Sequence, residues 1–263
     1  MNVRMHLLRW SLVALPLVGV AQPRQLMTSA RPGTVRPASN TVTQVQHPET
    51  VTDVIPAEAT GPLNTLPLFG ERPKTAEQID AEIHFLNDCD RNFASRAEAS
   101  AFFAERGWDY VADRQLDTAA YRFNMAWLLN DRNVDAYWGL GVVSYQRDQL
   151  PDAIRMLKKG VAVVDTNAVL LTDLATVQIK YYQQKHHAND LEEAEATLLK
   201  AVALNPNSAE SHQKLSLVNY LRANYVKAWT HFHQARELNL SELDLEYLND
   251  LLSKHPDPKG IFR

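Results

Sequence analysis

An all-α fold of stacked helix pairs is what this sequence predicts, and three observations predict it. Residue types return every 34 positions: Gly107 and Gly141, Ala119 and Ala153, Phe123 and Leu157, then Ala194 and Ala228, Leu198 and Phe232, Ala201 and Ala235. Self-similarity at a fixed period of this length marks a helical repeat array. Thr75-Ala76-Glu77-Gln78 and Ser95-Arg96-Ala97-Glu98 have the pattern of a capping box, a helix start signal. Ile79, Ile83 and Leu86 follow the first of these at helical spacing.

The elements follow in chain order. Residues 1–21 place Arg4 and Arg9 before or beside a short apolar run that ends in Gly19-Val20-Ala21. The run is too short to span a bilayer, which needs about 20 apolar residues. This is the layout of a secretory signal peptide, so export to the periplasm or the medium is expected. Residues 22–74 are rich in Pro, Thr and Ser, and frequent proline breaks helix; a disordered linker is expected there, with the apolar piece Leu63 to Phe69 as a segment that docks on the folded part. Residues 75–99 read as an N-terminal capping helix. Residues 100–242 then divide into four units, 100–133, 134–167, 168–208 and 209–242, and residues 243–263 into a capping helix and tail. In the last of these, Ser241 and Asp244 are expected to start the helix, and Leu245, Leu248, Leu251 and Leu252 to cover the final repeat.

Two helices that cross closely need small side chains at the crossing. Gly107, Gly141, Ala175 and Ser216 supply them on the first helices, and Ala119, Ala153, Ala194 and Ala228 on the second. Phe123 and Phe232 fill the space beside a crossing. One helix pair cannot bury both faces alone, so neighbouring pairs must stack. With Phe103, Gly107, Tyr110, Ala119, Phe123 and Ala126 in the first unit, and Tyr137, Leu140, Gly141, Ala153, Leu157 and Gly160 in the second, residues 100–242 resemble four tetratricopeptide (TPR) motifs. The third unit matches through Leu171, Leu174, Ala175, Ala194, Leu198 and Pro206 and carries seven extra residues; the fourth matches through His212, Leu215, Ser216, Ala228 and Phe232. The resemblance implies a TPR-type helical solenoid of about four helix-pair repeats with N- and C-terminal capping helices.

Composition narrows the function. A formal charge of −4 gives no general attraction to nucleic acid or an anionic membrane, and loss of residues 1–21 removes two arginines and no acid. The single cysteine, Cys89, excludes an internal disulfide and a multi-cysteine metal site, and its apolar-periodic setting reads as buried. Gly139-Leu140-Gly141 lacks the strand and the further glycine of a nucleotide loop and falls on repeat positions. No Gly-x-Ser-x-Gly elbow exists, and none of the nine histidines has a partner four residues away for zinc. No enzyme, cofactor or metal is therefore expected.

The first helices of such units line the inner side of the stack, and the resemblance implies which positions face it. They carry Trp108 and Val111 in the first unit; Trp138, Val142 and Tyr145 in the second; Thr176 and Ile179 in the third; Leu217 and Tyr220 in the fourth. The expectation is an apolar, aromatic groove for a protein or peptide, in an exported scaffold. Against it stands the reading that Trp108 and Trp138 only pack between adjacent repeats. An alternative function is a self-assembling component of an envelope complex. The positions that carry Lys and Asn in carboxylate-gripping relatives hold Ala104, Trp108, Trp138 and Val142 here, so that clamp is absent.

Overall fold

The structure, a computed structural model, describes residues 63–263; the expected signal segment 1–21 and residues 22–62 of the expected linker lie outside them. Ten α-helices follow one another: α1 Ala76–Asn92, α2 Arg96–Ala112, α3 Leu116–Leu129, α4 Val134–Gln146, α5 Leu150–Val163, α6 Ala168–Lys185, α7 Ala188–Leu204, α8 Ala209–Leu221, α9 Tyr225–Leu238 and α10 Leu245–Lys254. Four hairpins, α2/α3, α4/α5, α6/α7 and α8/α9, stack so that the second helix of each meets the first helix of the next. First helices also touch across neighbouring units, α2 on α4 and α6 on α8.

The helix ends show why the chain folds this way. Thr75 and Gln78 cap α1 reciprocally, side chain to backbone in both directions. Ser95 accepts from the Glu98 N–H, but the Glu98 carboxylate takes the Ala94 N–H, one residue earlier than in a closed box. Inside three of the hairpins the same turn recurs. Arg114, Asp148 and Ala223 adopt left-handed φ of 60°, 59° and 57°. The next residue, Gln115, Gln149 or Asn224, donates back to the carbonyl five positions earlier, which closes the first helix. The seven extra residues of the third unit lengthen its helices. α6 has 18 residues against 13 in α4, and α7 has 17 against 14 in α5.

Packing explains the small residues. The Phe123 ring of α3 wedges into α2 and α4: a Cβ on Gly107 would meet it at 2.6 Å and one on Gly139 at 2.1 Å. A Cβ on Gly141 would meet Leu157 Cγ at 2.7 Å. Ala119, Ala153, Ala175, Ala194 and Ala228 are fully buried. Ser216 uses its small side chain twice, donating to the Ala228 carbonyl and meeting the Tyr247 hydroxyl at 2.7 Å.

The ends differ from expectation. In α1 only the C-terminal half covers the first repeat, through Phe85, Leu86 and buried Cys89, while Ile79 and Ile83 stand about half exposed. Burial and the neighbouring Asp90 and Asp88 push the Cys89 thiol up to about 11, which disfavours the nucleophilic thiolate. At the other end Asp244, not Ser241, caps α10, accepting from the Tyr247 N–H. Ser241 sits in a short turn, Leu240–Glu242, capped by Asn239. Leu248 and Leu251 cover the last repeat as expected, Leu252 packs beside them, but Leu245 is 68% exposed because the helix begins there and turns it outward. The last part of the expected linker is ordered: residues 64–71 lie against the solenoid, and residues 72–75 join them to α1.

Candidate partner-binding site

The nine residues expected to line a groove do not form an open one. Val111, Trp138, Val142, Tyr145, Thr176 and Ile179 are buried, Trp138 to 1% exposure. Trp108, Leu217 and Tyr220 are half-buried. From Ala136 to Tyr145 in α4 and from Leu170 to Ile179 in α6 every residue is buried. A helix covered on all sides is core, not the wall of a trough.

Individual contacts show how the inner side closes. The Trp138 indole N–H crosses from α4 to α6 and donates to Asp173 Oδ2 at 2.7 Å. Its ring lies edge-on to Trp108, with centroids 5.9 Å apart, and Trp108 in turn abuts Phe123 at 5.1 Å. Lys180 lies over the Tyr145 ring at 4.7 Å and pairs with Asp148 at 2.7 Å. Thr172 and Ser211 join α6 to α8 through their hydroxyls at 2.8 Å. Large side chains at inner positions thus bond the next repeat and leave no gap for a ligand at those six residues. Position along the helix does not tell how far the neighbouring helix overlaps them.

Two carboxylates also lie on this side, Asp135, which repeat position places there, and Asp173, which it does not. Burial pushes Asp135 up, against a hydrogen bond from Trp108. Burial pushes Asp173 well above the carboxylate range, its Oδ1 has no hydrogen-bond partner, and Glu210 adds to the effect. Burial lowers Lys214 in the same neighbourhood, against the pull of Glu210, Asp244 and Asp173. No periodic signal announces Asp173, because it occupies a position that the repeat pattern leaves open.

A peptide is held elsewhere, on the second helices. Residues 63–71 lie as a strap on α3 and reach α5. The carboxamide of Asn124, wholly buried on α3, reads the strap's main chain. Its Oδ1 accepts from the Leu68 N–H at 2.8 Å, and its Nδ2 donates to the Asn64 and Leu66 carbonyls at 2.9 and 2.8 Å. Arg147 donates to the Thr65 carbonyl at 2.8 Å and pairs with Asp117. Leu68 enters the core cluster with Phe123 and Tyr145; Phe69 enters that of Met125 and Leu129, 6.3 Å from Trp127. Glu71 pairs with Arg155 at 2.6 Å and Lys159 at 3.0 Å. The strap is bent to make these contacts. Leu68, Phe69, Gly70 and Glu71 have φ of 53°, 55°, 72° and 51°. Each L-residue there costs about 1–2 kcal/mol. The apolar Leu63–Phe69 piece was legible as a docking segment; Asn124, an interior polar residue with no pattern around it, was not.

The C-terminal tail is tied down in a related way. Buried His233 of α9 meets Asp257 at 2.7 Å, and Asp257 also accepts from the Lys259, Ile261 and Phe262 N–H groups. Burial opposes charge on Asp257, yet these donors hold its carboxyl down at about 2. Phe262 stacks on Trp229 and His233, 6.2 and 6.1 Å away. Among the described residues no three His, Cys, Asp or Glu side chains gather as metal ligands would, and no helix is long and apolar enough to cross a membrane.

Comparison with known proteins agrees with this geometry. No family model matches the sequence, and no curated protein matches it. Among solved structures, that of PilF from Pseudomonas aeruginosa is similar with a TM-score of 0.53 and 25% identity, over 60% of this chain and 70% of that one. The Cut9 and Hcn1 hetero-tetramer of the APC/C is similar in fold, with a TM-score of 0.51 and 18% identity over 67% of this chain and 33% of that chain. A TPR protein of Thermus thermophilus has a TM-score of 0.49 and 23% identity over 59% of this chain and 87% of that one. The chain folds as a TPR-type helical solenoid.

Proposed function

We propose that this chain is an exported scaffold that holds a protein or peptide partner and performs no catalysis of its own. The observation that carries the reading is the strap: the buried Asn124 carboxamide satisfies three main-chain groups of a segment more than fifty residues upstream. Seating of a length of the chain's own main chain on the solenoid's helices supports the reading. On the inner side the surface left for a partner comprises the half-buried Trp108, Leu217 and Tyr220, with exposed Ala101 and Ala112 beside Trp108. Export rests on the layout of residues 1–21.

A second reading, self-assembly, is favoured by apolar side chains left bare at both ends of the stack. Ile79 and Ile83 lie at one end, Leu240 and Leu245, each 68% exposed, at the other.

One experiment addresses both. A photo-reactive phenylalanine analogue replaces Ala112 or Leu221 on inner helices, or exposed Ala162 on an outer helix, in the full chain in its own cells. The scaffold reading expects an adduct with a second protein, at a distinct subset of the positions, in the envelope or medium fraction, on a chain that begins at Gln22. Adducts of the chain with itself favour self-assembly. No adduct at any position removes the scaffold reading, and a chain that keeps Met1 in the cytosol removes export.

A further inference from the structure

The surface beneath the strap has the composition of a ligand site rather than of ordinary solenoid exterior. A wholly buried amide has no partner in its own helix pair for the contacts it makes; it donates twice and accepts once, all to main-chain groups of residues 64–68. Main-chain readout is indifferent to side chains, so any segment that adopts the same bend supplies those groups. Selectivity comes from what lies beside it. Two adjacent apolar seats take Leu68 and Phe69. A glycine follows at φ 72°, and two cations, Arg155 and Lys159, take the carboxylate of Glu71. Both cations are about 40% exposed and belong to α5, so they remain on the surface when the strap leaves.

We propose that this α3/α5 surface is a peptide-recognition site for a partner segment of the pattern apolar–apolar–Gly–acid, and that residues 64–71 are its resident, exchangeable ligand. The assignment rests on the reading of the chain as a peptide-holding scaffold and names the ligand class and the face. Exchange is favoured by the way the strap is held. Three L-residues lie in the left-handed region, so the strap's contacts are offset by strain in the segment that makes them. Residues 72–75 join it to α1, and their side chains are mostly exposed. A segment from another protein meets the same amide, seats and cations, and competes with a strap that holds the site closed. With the strap in place, apparent affinity is reduced by the fraction of time the site is open.

The test uses a labelled peptide of residues 62–74 and the full chain, read by fluorescence anisotropy. Intact chain is expected to bind it weakly. Full chain with Leu68→Asp and Phe69→Asp, which cannot dock its own strap, is expected to bind at least about tenfold more tightly. Adding Arg155→Glu and Lys159→Glu to that chain abolishes binding, and a peptide with Glu71→Lys restores it. If the strap-disabled chain, folded by circular dichroism, binds no better than the intact one, the proposal is overturned. Should that chain fail to fold, a protease site placed at residues 72–75 of the otherwise native chain gives the same information. The cut strap is replaced by excess labelled peptide if the site exchanges; retention of the strap, or its loss with no peptide taken up, overturns the proposal. Dimers that form with rising concentration and take up no peptide assign the surface to a second copy's strap and likewise overturn it. These results are read in vitro and stand apart from the cellular cross-links, so either reading can fail while the other holds.

Discussion

Asp173 is the residue at which the architecture makes its sharpest demand. Its Oδ2 accepts from Trp138 across the α4–α6 boundary, its Oδ1 has no partner, and the side chain is fully buried. Burying a charge without full pairing is costly, so the carboxyl binds its proton more tightly in the folded state than its unfolded value of about 3.9. The sign follows from linkage. Between the unfolded value and the raised folded value the folded state binds more protons, so stability declines as pH rises through that window. Asp173→Asn keeps an acceptor for Trp138 and cannot ionise. The variant is expected to lose less melting temperature than the native chain as pH rises above about 4. Equal slopes in melting temperature against pH for the two chains would show that Asp173 is not the titrating group. Nothing at this scale was legible beforehand: Trp138 was expected on the inner side, but its partner is 35 residues away and is set by the overlap of two helices.

At the scale of the element, the sequence was most informative where a close approach admits one size of side chain. Gly107, Gly141 and the row of alanines marked the crossings in advance. Gly139 was not marked as a crossing, since the positions 34 residues to either side hold Glu105 and Asp173 rather than small residues, yet among the described glycines a Cβ added there would meet a neighbour at the shortest distance, 2.1 Å from Phe123. Gly139→Ala is expected to destabilise the chain by about 1–3 kcal/mol, because the Phe123 ring has to leave its wedge. Gly160→Ala is the control. Its Cβ would sit 3.4 Å from Leu170 Cδ2 and 3.5 Å from Tyr137 Cβ, a fit that needs only a small adjustment, and alanine improves helix propensity by up to about 1 kcal/mol. Urea unfolding at unchanged slope separates the two, and similar midpoints for both variants would rule out the wedge. Helix lengths and starts were less legible. The start of α10 slipped because Ser241 and Asp244 both have N-cap chemistry, and only tertiary position chooses between them. The strap's boundary slipped for a similar reason: a proline-rich stretch carries no period, and the docking of its last residues depends on Asn124, far along the chain.

For the whole molecule, periodicity gave the fold class, the four units and the antiparallel hairpins, because each is fixed by contacts between neighbours. It did not give the openness of the inner side. That is a property of how tightly successive units wind, and large residues at inner positions serve equally well to bind a ligand or to bond the next unit. Here Trp138 and Tyr145 take the second role, through Asp173 and Lys180 of α6, and Val142, Thr176 and Ile179 are buried with them, which makes α4 and α6 the centre of the stack. Under the proposed function, partner binding falls to the half-buried Trp108, Leu217 and Tyr220 and to the outer surface on which the strap lies.

Hydrogen exchange of the full chain, resolved by residue, tests that closed stack most directly. Amides of Ala136–Tyr145 and Leu170–Ile179 are expected to exchange last and together. The Leu68 amide, held by Asn124, should be protected well beyond its neighbours in residues 72–75, and the N-terminal half of α1 should exchange early. If α4 and α6 exchange as fast as the start of α1, the inner side is open to water and the account of a self-bonded core is wrong.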